Sequence, residues 1–184
     1  MERLDAARGS SEYAEMVADV FVETIRKAAA SALCCEHGEE EITPSLMQCL
    51  EYVYLRGASP INRIADGLEV SLSAASQLVE RLVKRDLVTR RENEDDRRLT
   101  RVELTEAGES LVREMRERRA WWFESIVAAM PEQKRLALVE GLEGFLKIAL
   151  TRQGNAERAC VKCGMEHVPF CIVNEVKTER SDNQ

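Results

Sequence analysis

Residues 60–104 constrain this chain most. Two short amphipathic stretches, "SPINRIADGL" and "VSLSAASQLVERLVKRD", stand with only the residues from Glu69 to Ser71 between them. Ile61, Ile64, Ala65 and Leu68 mark one face of the first, which is expected to close at Gly67. Leu72, Ala75, Leu78, Val79, Leu82 and Val83 mark the second. Both patterns step by three and four residues, the period of a helix. A connection this short is that of a helix-turn-helix. The period then changes to two. "LVTRRE" and "LTRVEL" alternate and are rich in β-branched residues, with the charged "NEDDRR" between them. That pattern is a hairpin with a six-residue tip. A hairpin directly after a helix-turn-helix is a wing.

The flanks are helical. Residues 13–35 carry Met16, Val17, Val20, Phe21, Ile25 and a run of alanines on one stripe. "ITPSLMQCLEYVYLRG" is punctuated at both ends: Thr43 caps, Pro44 takes the first helical position and Gly57 stops the helix. Thr105 caps a long helix reaching Met130, and a second long helix follows Pro131. Their broad apolar stripes exceed what a small winged domain covers, which points to dimerisation. The expected fold is mainly α with a small β-hairpin wing, a winged helix-turn-helix between long N- and C-terminal dimerisation helices. Residues 1–150 form the dimer unit, with the DNA-binding core at 43–104 and dimerisation helices at 13–35 and 105–150. Residues 151–184 read as a linker, a Cys-rich segment and a polar tail without order.

Composition narrows the setting. No stretch approaches the ~20 apolar residues of a membrane span, and no export signal precedes the first helix. A cytoplasmic location follows as an expectation, where six cysteines serve as metal ligands, redox groups or core residues rather than structural disulfides. The net charge of −7 argues against a uniformly basic nucleic-acid binder. From Ile61 to Leu104, however, nine Lys+Arg balance nine Asp+Glu, and the arginines gather at the wing and the end of the second short helix. A local field suffices, because screening confines it to about 8 Å.

The second short helix turns Ser71, Ser73, Ser76, Gln77 and Arg81 outward. Small hydroxyls let a helix seat deeply in a major groove, and Gln and Arg can pair with base edges or phosphate. Arg97 and Arg98 stand at the wing tip, where an arginine can enter a narrow minor groove.

"LVKRDLVTRRENEDDRRLTRVELTEAGE" resembles the wing signature of MarR-type transcriptional regulators, with Asp96-Arg97-Arg98 at the tip and Leu104-Thr105-Glu106-Ala107-Gly108 opening the next helix. The resemblance covers roughly residues 13–150 and implies a homodimer on a pseudo-palindromic double-stranded DNA site. Such regulators usually repress genes and release DNA on meeting a small phenolic ligand, an oxidant or a metal. Two positions depart from the family. Asp86 stands where glycine is common, and Gln77 where arginine often stands. The family's peroxide sensors carry their cysteine at the start of the first helix. Here Cys34 and Cys35 lie at its end, so that mechanism does not transfer.

The C-terminal stretch "CVKCGMEHVPFC" spaces Cys160, Cys163, His167 and Cys171 as Cys-x2-Cys-x3-His-x3-Cys. Thiolates two residues apart can share one tetrahedral metal, and Gly164 permits the turn. The set is similar to a zinc knuckle with shortened later loops. An iron–sulfur cluster, a reversible disulfide between Cys160 and Cys163, and free thiols remain alternatives. Cys49 lies on an apolar stripe and reads as a core residue. No nucleophile–base pair or phosphate loop argues for an enzyme. The leading expectation is a homodimeric DNA-binding regulator of the repressor type, answering an unknown small-molecule, metal or redox effector. A winged-helix protein-interaction module without DNA binding is the alternative.

Overall fold

In a computed structural model, residues 10–33, 42–92, 100–153 and 171–181 are described. The elements run α1 (Ser11–Leu33), α2 (Pro44–Arg56), β1 (Ser59–Pro60), α3 (Ile61–Leu68), α4 (Leu72–Lys84), β2 (Val88–Glu92), β3 (Thr100–Leu104), α5 (Glu106–Ala129), α6 (Glu132–Gln153) and α7 (Ile172–Ser181).

The helix starts obey the capping chemistry legible in the chain. Thr43 accepts a hydrogen bond from the Leu46 N–H at 3.4 Å, with Pro44 at the head of α2. Gly57 ends that helix at φ 68°, a backbone conformation glycine adopts freely. α3 does not close at Gly67. It runs to Leu68, and Glu69 turns the chain in the left-handed region at φ 57°. Gly67 serves packing instead: a Cβ there would fall 2.0 Å from the Tyr52 ring. Asp86 makes the second left-handed turn, at φ 55°, between α4 and the wing. Its short side chain tolerates that conformation.

Leu46, Cys49, Leu50 and Val53 of α2 form the centre of the core. Ile64 of α3, Val79 and Leu82 of α4, Val88 and Val102 of the wing, and Leu111, Val112 and Met115 of α5 close around them. The wing has three strands, in the order β1-β3-β2 and antiparallel throughout, with Ser59 opposite Val102 and Val88 opposite Leu104. The strand β1 is an addition to the expected hairpin.

Outside this core the chain leaves much apolar surface bare. α1 packs on α5, yet Met16, Val17 and Val20 on its stripe are 53%, 46% and 62% exposed. The C-terminal region also differs from expectation. α6 continues to Gln153, and residues 172–181 of the supposed tail form helix α7. Val173 and Val176, three residues apart, seat on Leu150, and Lys147 pairs with Glu175 at 2.8 Å. Burial of that small apolar face orders a segment whose composition looks disordered. Among the described residues no helix is long and apolar enough to cross a membrane.

Candidate nucleic-acid interface

α4 is held from below and open above. Ala75, Val79 and Leu82 are buried against the core. Ser73, Gln77 and Arg81 are exposed. Gln77 and Arg81 have no hydrogen-bond or ion-pair partner among the described residues. They line a cleft of about 230 Å³ together with Ser45 and Gln48 of α2, between the two helices. Ser45 and Gln48 escaped the sequence reading. Their only signal is that they are polar residues in the first two turns of a helix capped by Thr43, a helix start that presents unpaired N–H groups.

The other predicted hydroxyls have local duties. The Ser71 Oγ accepts from the Ala74 N–H at 3.2 Å and so caps α4. It also lies 3.0 Å from the Ser73 Oγ. Ser76 is half-buried and donates to the Leu72 carbonyl at 2.8 Å, so its hydroxyl retains only acceptor capacity outward. Leu72 and Val83, expected on the inner stripe, are 56% and 39% exposed. Leu72 opens α4 at its outer end, beyond the reach of the core.

The wing presents arginine. Arg91 lies directly opposite Arg101 across β2 and β3, and both are exposed. Like charges face to face in a strand pair are unfavourable without a counter-charge. Glu103 supplies one, at 3.2 Å from Arg91. That leaves Arg101, with Arg90, as solvent-facing cations on the hairpin. Arg97 and Arg98 lie outside the described residues.

The wing is fixed to α5 by two close contacts. Thr105 accepts from the Gly108 N–H at 3.0 Å, capping α5, while its hydroxyl donates to the Asp86 carbonyl at 2.6 Å. Gly108 lets that junction close: a Cβ there would stand 2.0 Å from the Leu87 carbonyl oxygen. The Leu-Thr-Glu-Ala-Gly string therefore sets how the wing leaves the body.

The cysteines divide. Cys49 is fully buried, and burial pushes its thiol up to about 12. It is an inert core residue at neutral pH. Cys171 is half-buried at the head of α7, where its carbonyl accepts from the Glu175 N–H at 3.0 Å. Cys160, Cys163 and His167 lie outside the described residues, as do Cys34 and Cys35. Among the described residues no cluster of three metal-ligating side chains occurs.

Residues 41–99 match the family model described as MarR family. Over that segment the chain is similar to the MarR family. Its fold superposes on a MarR family protein from Bacillus stearothermophilus with a TM-score of 0.63 at 18% identity, over 81% of this chain and 97% of the other. Streptococcus pneumoniae FabT, solved in complex with DNA, gives a TM-score of 0.63 at 17% identity, over 75% of this chain and 95% of its own. In sequence, the chain is 28% identical over 85 residues to the uncharacterized HTH-type transcriptional regulator YpoP of Bacillus subtilis, covering 46% of this chain and 60% of that protein. The chain spans between 39% and 66% of the length of the first curated relatives it matches. In this chain α4 is the second helix of the helix-turn-helix, and β2–β3 form the hairpin that follows it. The fold is mainly α with a small antiparallel sheet, as the sequence implies.

Proposed function

We propose that this protein is a DNA-binding transcriptional regulator of the repressor type, acting in the cytoplasm as a homodimer on a pseudo-palindromic site. The observation that carries this reading is the alignment of unpartnered polar side chains on one face. Gln77 and Arg81 on α4 line one cleft with Ser45 and Gln48 on α2, and the wing adds Arg90 and Arg101 as exposed cations, one on each face of the hairpin. Gln77 reads base edges in the major groove, Arg81 reaches guanine or phosphate, and Arg97 and Arg98 enter the flanking minor groove. Ser71 and Ser76 act through helix geometry and acceptor contacts. The DNA complex of FabT supports the assignment by analogy of fold.

The dimer reading rests on the apolar surface that the single chain leaves bare. Met16 and Val20 on α1, Trp121 on α5 and Phe145 and Ile148 on α6 are all more than half exposed or nearly so, at 53%, 62%, 72%, 69% and 59%. Large apolar side chains left bare on three helices are what an interface between copies covers. The dimer unit then comprises residues 1–150, with 151–184 as an appended regulatory segment.

Two effector sites fit the residues. A cleft of about 650 Å³ between α1 and α5 is lined by Phe21, Ile25, Trp122 and Phe123 with Arg116, Arg119 and one carboxylate, Glu117, an aromatic wall of mixed charge suited to a small aromatic ligand. The spacing of Cys160, Cys163, His167 and Cys171 suits zinc or an iron–sulfur cluster. Elemental analysis of anaerobically purified protein, with Cys160→Ser as control, tests the latter: a near-stoichiometric ion lost in the variant supports it.

The DNA reading is tested by fluorescence anisotropy on duplexes from the region upstream of the protein's own gene. Gln77→Ala should alter sequence preference by about 1–3 kcal/mol at one base-pair position. Arg81→Ala and Arg98→Ala should weaken binding and flatten its salt dependence. Wild-type protein that binds no fragment would favour the protein-interaction module instead.

A further inference from the structure

Helix α6 is apolar on two sides. Leu136, Val139, Leu146 and Leu150 follow one seam, and Leu138, Leu142, Phe145 and Ala149 follow another. A helix with two seams needs neighbours on both. Among the described residues only α7 makes an extended contact with it. Leu136, Val139 and Phe145 accordingly stand 61%, 49% and 69% exposed, whereas Leu150, beneath α7, is only 8% exposed.

α7 has the build of a cover. Val173 and Val176 face Leu150, and Glu175 pairs with Lys147 beside them. Its outward residues Asn174 and Thr178 are polar and exposed. A helix that extended an interface would present apolar residues outward. One that seals an apolar seam and faces water with polar residues resembles the terminal repeats that end a solenoid. This apolar cluster is also separate from the core of the winged domain. The similar structures use 95% and 97% of their own chains against 75% and 81% of this one, so the excess length belongs to this protein.

We propose that α7 is an internal cap closing the C-terminal end of the first α6 seam, so that the dimerisation helices accept one second copy and no more. The proposal rests on the homodimer reading. A second copy occupies the rest of that seam and the other one, and its complement is present on the chain itself: α1 leaves Met16, Val17 and Val20 bare. A two-fold pairing closes on itself, but an uncovered Leu150 offers a further, non-closing contact that propagates assembly.

The test compares the full chain with full-length Val176→Glu across a wide concentration range, by sedimentation velocity and light scattering. Val176→Ile serves as the conservative control. The full chain and V176I should stop at the dimer. V176E should show a weight-average mass that climbs past the dimer with concentration, and increased binding of a hydrophobic dye. Lys147→Glu and Glu175→Lys should each do the same to a smaller degree, and the double exchange should restore the wild-type profile. V176E that sediments and binds dye as the full chain does overturns the cap. A thermal transition of the winged domain unchanged in V176E confirms that the core is intact. A full chain that is monomeric at every concentration refutes the homodimer reading. The cap is then judged by whether V176E self-associates above that monomer.

Discussion

Replacing Thr105 by valine removes one hydroxyl and keeps the branched shape. That hydroxyl makes two hydrogen bonds, accepting from the Gly108 N–H at 3.0 Å and donating to the Asp86 carbonyl at 2.6 Å. Loss of an N-cap costs about 1 kcal/mol. Loss of the second bond costs about 1 kcal/mol more. The expected destabilisation is therefore about 2 kcal/mol, or a fall in Tm of roughly 4–8 °C for a domain of this size. Urea denaturation at fixed protein concentration measures it, with the midpoint moving and the slope unchanged. Thr105→Ser keeps both bonds and should stay close to the parent. If Thr105→Val lies within about 0.5 kcal/mol of the parent, the range of an ordinary surface change, the junction between wing and α5 does not depend on the Thr105 hydroxyl.

Glu69 holds a left-handed turn at φ 57°, so Glu69→Gly should raise stability by about 1 kcal/mol in the same urea assay. Gly108→Ala drives a Cβ into the Leu87 carbonyl and should cost at least about 1–3 kcal/mol. Burial raises the Cys49 thiol from its ordinary 9.0 to about 12. The folded state keeps this proton where the unfolded chain releases it. Its contribution to stability is therefore fully present below pH 9 and is lost as pH rises toward 12. Urea midpoints from pH 8 to 11 should fall at the alkaline end, less so in Cys49→Ala after allowing for its own packing loss. Native Cys49 should also resist alkylation at pH 8, read by mass spectrometry.

The winged helix-turn-helix was legible because its punctuation is local. Thr43-Pro44, Ser71 and Thr105 announce helix starts through their own side chains, and Asp86 tolerates the turn its position demands. What escaped depends on distant partners. Ser45 and Gln48 join the α4 groove only because α2 packs beside α4. β1 is two residues long and carries a proline, so only its pairing with β3 makes it a strand. α7 has few apolar residues of its own, and its order comes from Leu150, more than twenty positions earlier. Gly67 looked like a stop because glycine often is one, but here the Tyr52 ring requires the missing side chain.

A dimer of this chain is proposed to read DNA with α4 and its wing. Footprinting on the region upstream of the protein's own gene tests it most directly. The protected segment should hold two-fold related half-sites whose centres lie about 10 base pairs apart, one helical turn. Protection should vanish in Arg81→Ala at raised salt. Absence of any protected segment, at concentrations where a duplex of unrelated sequence binds equally well, would contradict it.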